Sequence, residues 1–131
     1  MTTADQLNAN PLPLARLMGV EIVEAGPERV VARLTVREDL CTLGSILHGG
    51  AYMALADTAG AIGAFLNLPE GAKTTTIESK TNFLGAAPVG TVVSAEATPI
   101  HRGRRSSVWQ TRVTDPSGKL LALVTQTQMA I

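Results

Sequence analysis

One cysteine, four aromatic residues and no surplus of either charge limit what this 131-residue chain can be built around. Cys41 alone cannot close an intrachain disulfide, and no cluster of Cys and His has the spacing of a structural zinc site. Eleven Lys and Arg balance eleven Asp and Glu, and without a run of like charge there is no footprint for nucleic acid or a membrane surface. The apolar stretches are too short and too interrupted to cross a bilayer. The polar N-terminus around Asp5 lacks the cationic-then-apolar order of a signal peptide. A cytoplasmic protein with no nucleic-acid or membrane partner is the expectation. Two Phe, one Tyr and one Trp are too few to specify an aryl-binding pocket.

What is present fits one domain. Residues 1–11 are polar and read as a flexible tail, with the folded domain spanning 12–131. Leu12, Leu14, Leu17 and Met18 are spaced as one apolar face of a short helix that stops at Gly19. Val20 and Ile22 begin a strand. After Gly26-Pro27, the residues Val30, Ala32, Leu34 and Val36 alternate with Val31, Arg33, Thr35 and Arg37, the period of a strand with one buried face. From Gly50 to Leu66 the composition turns to small apolar residues, predicting a helix of about 16 residues and about 24 Å that is buried at close approach.

Four further strands follow. In the first, Thr75, Ile77, Ser79, Thr81 and Phe83 oppose Thr74, Thr76, Glu78, Lys80 and Asn82. Residues 91–100 and 105–114 are joined through His101-Arg102-Gly103-Arg104, and the turn Asp115-Pro116-Ser117-Gly118 leads into 119–129. This order predicts an α+β domain, one central helix against an antiparallel sheet, and disfavours a doubly wound nucleotide fold.

One acid, Asp57, stands inside the alanine-rich helix, an expensive place for a carboxylate without a task. The loop ahead of it runs Gly44-Ser45-Ile46-Leu47-His48-Gly49-Gly50. With Ala56-Asp57-Thr58, the strand end Asn82-Phe83-Leu84 and the segment Gly103-Arg104-Arg105, this loop resembles the hotdog-fold acyl-CoA thioesterases, especially the group related to phenylacetate-pathway and hydroxybenzoyl-CoA thioesterases. The resemblance covers residues 12–131. It implies a hotdog fold, a long helix wrapped by a curved antiparallel sheet, and homodimers that pair their sheets and share two active sites. Homotetramers are also common in such a family, and a dimer is the minimum expectation.

Thioester hydrolysis needs an activated water and stabilisation of the oxyanion. Asp57 is expected to serve the first need, as general base or as nucleophile. The backbone N–H of Gly49, helped by that of Gly50, is expected to serve the second at the helix N-terminus. Eight residues separate Gly49 from Asp57, about 12 Å along one helix, so the two cannot flank one carbonyl carbon. If both act, the Gly49 of one subunit faces the Asp57 of the other.

His48 has two readings, a donor to the thioester oxygen or a brace for the loop. Thr58 and Ala61 are expected in the same cleft. Some relatives carry a hydroxyl at the position of Ala61, so water positioning is left to Thr58 or to a backbone carbonyl. Asn82 and Phe83 are assigned to the substrate cleft rather than to the reaction, with Thr76 and Glu78 on the same alternating face as Asn82.

His101, Arg102, Gly103, Arg104, Arg105 and Ser106 form a local cationic segment suited to the phosphates of an acyl-CoA substrate, or else an ordinary solvated hairpin. Two other functions stay open: a hotdog hydratase or dehydratase acting on acyl thioesters, and an acyl-CoA-binding module without turnover. None of the three calls for a metal or a redox cofactor.

Overall fold

A computed structural model describes residues 1–131. Its centre is the 18-residue helix Gly49–Leu66 (α3). Ala51, Leu55, Ala56, Ala59 and Ala64 are buried along it, so the small residues read from the sequence do face a packed surface. The helix stops where Asn67 donates its backbone N–H to Ala64 O and Phe65 O and its side-chain amide to Gly63 O.

Around α3 curls one six-stranded antiparallel sheet, made of Glu21–Ala25 (β1), Val30–Thr35 (β2), Thr74–Phe83 (β5), Val92–Arg102 (β6), Ser106–Thr114 (β7) and Leu120–Ala130 (β8), in the order β1-β2-β6-β7-β8-β5. A two-residue hairpin, Cys41–Thr42 (β3) with Ile46–Leu47 (β4), precedes the helix. The expected α+β arrangement, a central helix wrapped by an antiparallel sheet, is the one observed. Val30, Ala32, Leu34 and Val36 are all buried, as their alternation predicted. No helix is long and apolar enough to cross a membrane.

Two glycines set how closely α3 lies on the sheet. A Cβ on Gly60 would stand 2.4 Å from Gln126 Oε1, and one on Gly63 would stand 2.5 Å from the Trp109 ring. Side chains rising from β7 and β8 therefore occupy the space that the helix leaves empty. Trp109 is fully buried beneath Gly63, its indole N–H donating to Ser107 Oγ at 3.0 Å.

Three expectations need correction. Residues 1–11 are not a loose tail: Thr3–Ala9 form a helix (α1) with a capping box, Asp5 N–H donating to Thr2 Oγ1 at 3.1 Å and Thr2 N–H to Asp5 Oδ2 at 3.0 Å. Asn8 fastens α1 to β1, bonding both the N–H and the C=O of Ile22 at 2.8 and 2.7 Å. The signal was the spacing of Thr2 and Asp5, which average polarity hides.

The second correction concerns the short helix Pro13–Met18 (α2). It ends at a left-handed Gly19 as predicted, yet Ala15 and Met18 face the core while Leu12, Leu14 and Leu17 are exposed. The third lies in β5, where the register shifts between Thr76 and Glu78. The extra residue, Ile77, reverses the alternation, so Thr76 faces α3 and Glu78 and Asn82 are exposed.

Candidate functional site

The loop before α3 turns through two consecutive left-handed residues, Gly44 at φ 86° and Ser45 at φ 57°. It delivers His48 to the N-cap, where Nδ1 accepts the N–H of Gly50 at 2.8 Å. That bond keeps the proton of a neutral ring on Nε2, so His48 braces the loop while its Nε2–H has no acceptor in the chain and stays available as a donor. It also engages the Gly50 N–H, correcting the expectation that Gly50 offers a second free donor. The Gly49 N–H, first of the helix, has no acceptor in the chain. A Cβ on Gly49 would stand 3.1 Å from the Phe83 ring, which packs edge-on against Tyr52 at 6.2 Å. Tyr52 is buried, which pushes its phenol pKa upward, and its hydroxyl donates to Gly85 O at 3.3 Å.

Farther along α3, Asp57 Oδ1 accepts the Thr76 hydroxyl at 2.6 Å and the Gln126 amide at 3.1 Å. Asp57 Oδ2 accepts no hydrogen bond from the protein. Behind Thr76 the donors continue in one direction: Thr74 Oγ1 donates to Gln128 Oε1 at 2.9 Å, and Gln128 Nε2 donates to Thr76 Oγ1 at 2.5 Å. A chain of donors ending on one oxygen polarises toward it and fixes the carboxylate plane.

The sequence reading missed these partners. Thr76 was named only as sharing a face with Glu78 and Asn82, a grouping that the bulge at Ile77 breaks. Gln126 and Gln128 had a visible signal, because they continue the inward face of Ala122 and Val124 on β8, where a core strand normally stays apolar; both are buried.

The remaining candidates divide. Thr58 donates its hydroxyl to Ala54 O at 2.8 Å, so it is not a free donor for water. Thr58 and Ala61 do share one cavity. Phe83 lies at Gly49, whereas Asn82 is exposed and accepts from Lys80 Nζ at 3.1 Å, so the two do not share a cleft within the chain.

Arg102, Gly103, Arg104, Arg105 and Ser106 line a second cavity of about 230 Å³ near the C-terminal end of α3, together with Thr74 and Gln128. Arg102 reaches Glu28 at 3.8 Å, while Arg104 and Arg105 have no carboxylate partner. Backbone carbonyls at that helix end also favour cations. His101 does not line this cavity, although its ring lies beside Gly103, which does.

Cys41 stands in surroundings that disfavour its thiolate. Desolvation, followed by Glu38 and Asp39, raises its thiol pKa, and Sγ donates to Arg37 O at 3.2 Å.

Residues 44–122 match the family model of the thioesterase superfamily. The 1,4-dihydroxy-2-naphthoyl-CoA hydrolase of Listeria monocytogenes is 33% identical over 110 residues, covering 84% of this chain and 89% of that protein. A thioesterase of Haemophilus influenzae superimposes with a TM-score of 0.92 at 30% identity, covering 100% of this chain and 92% of the other. A variant of the phenylacetic acid degradation protein PaaI of Thermus thermophilus superimposes with a TM-score of 0.83 at 27% identity, covering 90% and 98%.

Proposed function

The chain belongs to the thioesterase superfamily, with its hotdog fold, and from that premise we propose that it hydrolyses an acyl-CoA thioester to the free acid and CoA. The observation that carries the reading is the asymmetry of Asp57, one oxygen held by two donors and the other left open. In this reading Oδ2 takes a proton from water as the water oxygen attacks the thioester carbon. The oxyanion so formed lies against the Gly49 N–H of the second subunit. Collapse breaks the carbon–sulfur bond, and the proton held by Asp57 passes to the departing thiolate. General-base action is preferred to direct attack because Thr76 and Gln126 fix the carboxylate and its short side chain leaves room for a water molecule.

The dimer in this proposal is supported by helix geometry. Gly49 and Asp57 lie on one helix about 12 Å apart, so completing the site requires a second copy. β5 supports it too, since this ten-residue strand ends the sheet with an unpaired edge.

Arg104 and Arg105 are proposed to anchor the CoA phosphates. Replacing both with Ala should raise KM for acyl-CoA about tenfold or more, the scale of lost charge-assisted bonds, with little change in kcat. A thiol-release assay over a panel of acyl-CoA esters tests both points. Absence of thiol release from every ester rejects the hydrolase reading, and an unchanged KM in the double variant removes the phosphate assignment.

Thr76 is proposed to position the base. Thr76→Val should lower kcat about tenfold with KM held, and Thr76→Ser should restore most of it, since a bond to a charged acceptor contributes roughly 1.5–3 kcal/mol. In an Asp57→Asn background the Val substitution should cost nothing more. A further loss there would show that Thr76 acts otherwise than through Asp57.

A further inference from the structure

Between α1–α2 and the outer face of α3 lies a cavity of about 530 Å³, within the range of about 300–1,000 Å³ typical of small-molecule sites. Thr58 and Ala61 line it, one residue and four residues beyond Asp57, so it begins within about one helical turn of the carboxylate. Ten of its sixteen lining residues are hydrophobic, which makes the state of the polar ones decisive.

Three of those polar side chains are already engaged. Asn8 spends its amide on both backbone groups of Ile22, Thr58 donates to Ala54 O, and Thr74 donates to Gln128 Oε1. The other two, Asn10 and Lys73, are exposed. A hydroxyl carried into this space would lose water and find no free donor in the deeper wall, where the Thr58 and Thr74 hydroxyls can only accept. Thr74 lines this cavity and the arginine-lined one, so an apolar chamber and a cationic chamber meet at a single residue.

We propose that the apolar cavity receives the acyl group, and that it selects plain aliphatic chains of medium length over hydroxylated aryl groups. This inference rests on the hydrolase reading above for its substrate but not for its binding. Each methylene buried should tighten binding about fourfold until the cavity is filled. A hydroxyl left without a partner should weaken binding about tenfold.

Two measurements test this, each on the full-length protein and on Leu12→Trp. Leu12 is 56% exposed on the cavity wall, so the larger ring narrows the space without entering the core; a thermal melt checks that the variant is folded. The first measurement is calorimetric binding of butyrate, hexanoate, octanoate, decanoate and dodecanoate. The second is thiol release from the matching CoA esters and from hydroxybenzoyl-CoA.

The expected result is affinity that climbs with chain length, kcat/KM for octanoyl- or decanoyl-CoA at least tenfold above that for hydroxybenzoyl-CoA, and an optimum displaced to shorter chains in Leu12→Trp. Preference for the hydroxyaryl ester, affinity independent of chain length, or an unmoved optimum in the variant would each overturn the inference. Fatty-acid binding with no thiol release would uphold the cavity and sink the hydrolase reading. Thiol release with no dependence on chain length would do the reverse.

Discussion

Asp57→Asn is expected to lower kcat by about 10²–10⁴-fold, the share that a positioned general base contributes, while the melting temperature stays close to that of the wild type. Both expectations come from one geometry. Thr76 and Gln126 donate to the same oxygen, Oδ1. An asparagine that keeps its carbonyl in that place satisfies both donors, and only Oδ2 changes, from an oxygen that accepts a proton to an amide nitrogen that cannot. Folding therefore loses little and the proposed chemistry loses its base. Thiol-release kinetics beside a calorimetric melt measure the two effects separately, and wild-type turnover in the variant would reject Asp57 as the base.

Mixing two dead variants should restore activity. Gly49→Pro removes the proposed oxyanion donor at the position where proline is best tolerated in a helix, and the ψ of 141° at His48 already suits a following proline. Phe83, half-exposed, can yield to the new ring. Alone, this variant should lose about 10²–10³-fold in kcat, the value of one oxyanion donor.

A heterodimer of Gly49→Pro and Asp57→Asn subunits holds one site with both defects and one with neither. Purified through two different tags, it should recover about half of wild-type activity, as two-fold symmetry requires. If Gly49 and Asp57 served a site within one subunit, every site in the heterodimer would remain defective. Recovery far below that level in a verified heterodimer would defeat the shared-site proposal.

The strand pattern was legible because one face of each strand is uniformly buried, as Val30, Ala32, Leu34 and Val36 show. The helix was legible from the run of small apolar residues between Gly50 and Leu66. A bulge leaves almost no trace in residue types, so the single extra residue at Ile77 put Thr76 on the wrong face, beside Asn82, while leaving the strand itself obvious. The N-terminal helix was lost for a different reason: it buries only Ala4 and part of Leu7 and is otherwise held by a two-residue cap and by Asn8 bonding β1, none of which makes a clear apolar period. Asp57 stood out as a lone charge among alanines. Gln126 and Gln128 stood out less, because a long polar side chain on a strand is unusual only once the facing surface is known to be closed.

The vacancy at Gly60 ties two distant positions together. Gln126 fills the volume that any side chain at 60 would claim, and its amide steadies Asp57 from that volume. Genetic drift at the helix is thereby yoked to drift at the last strand: a lineage that enlarges residue 60 must displace or shorten the amide end of residue 126, surrendering one support of its acid along the way.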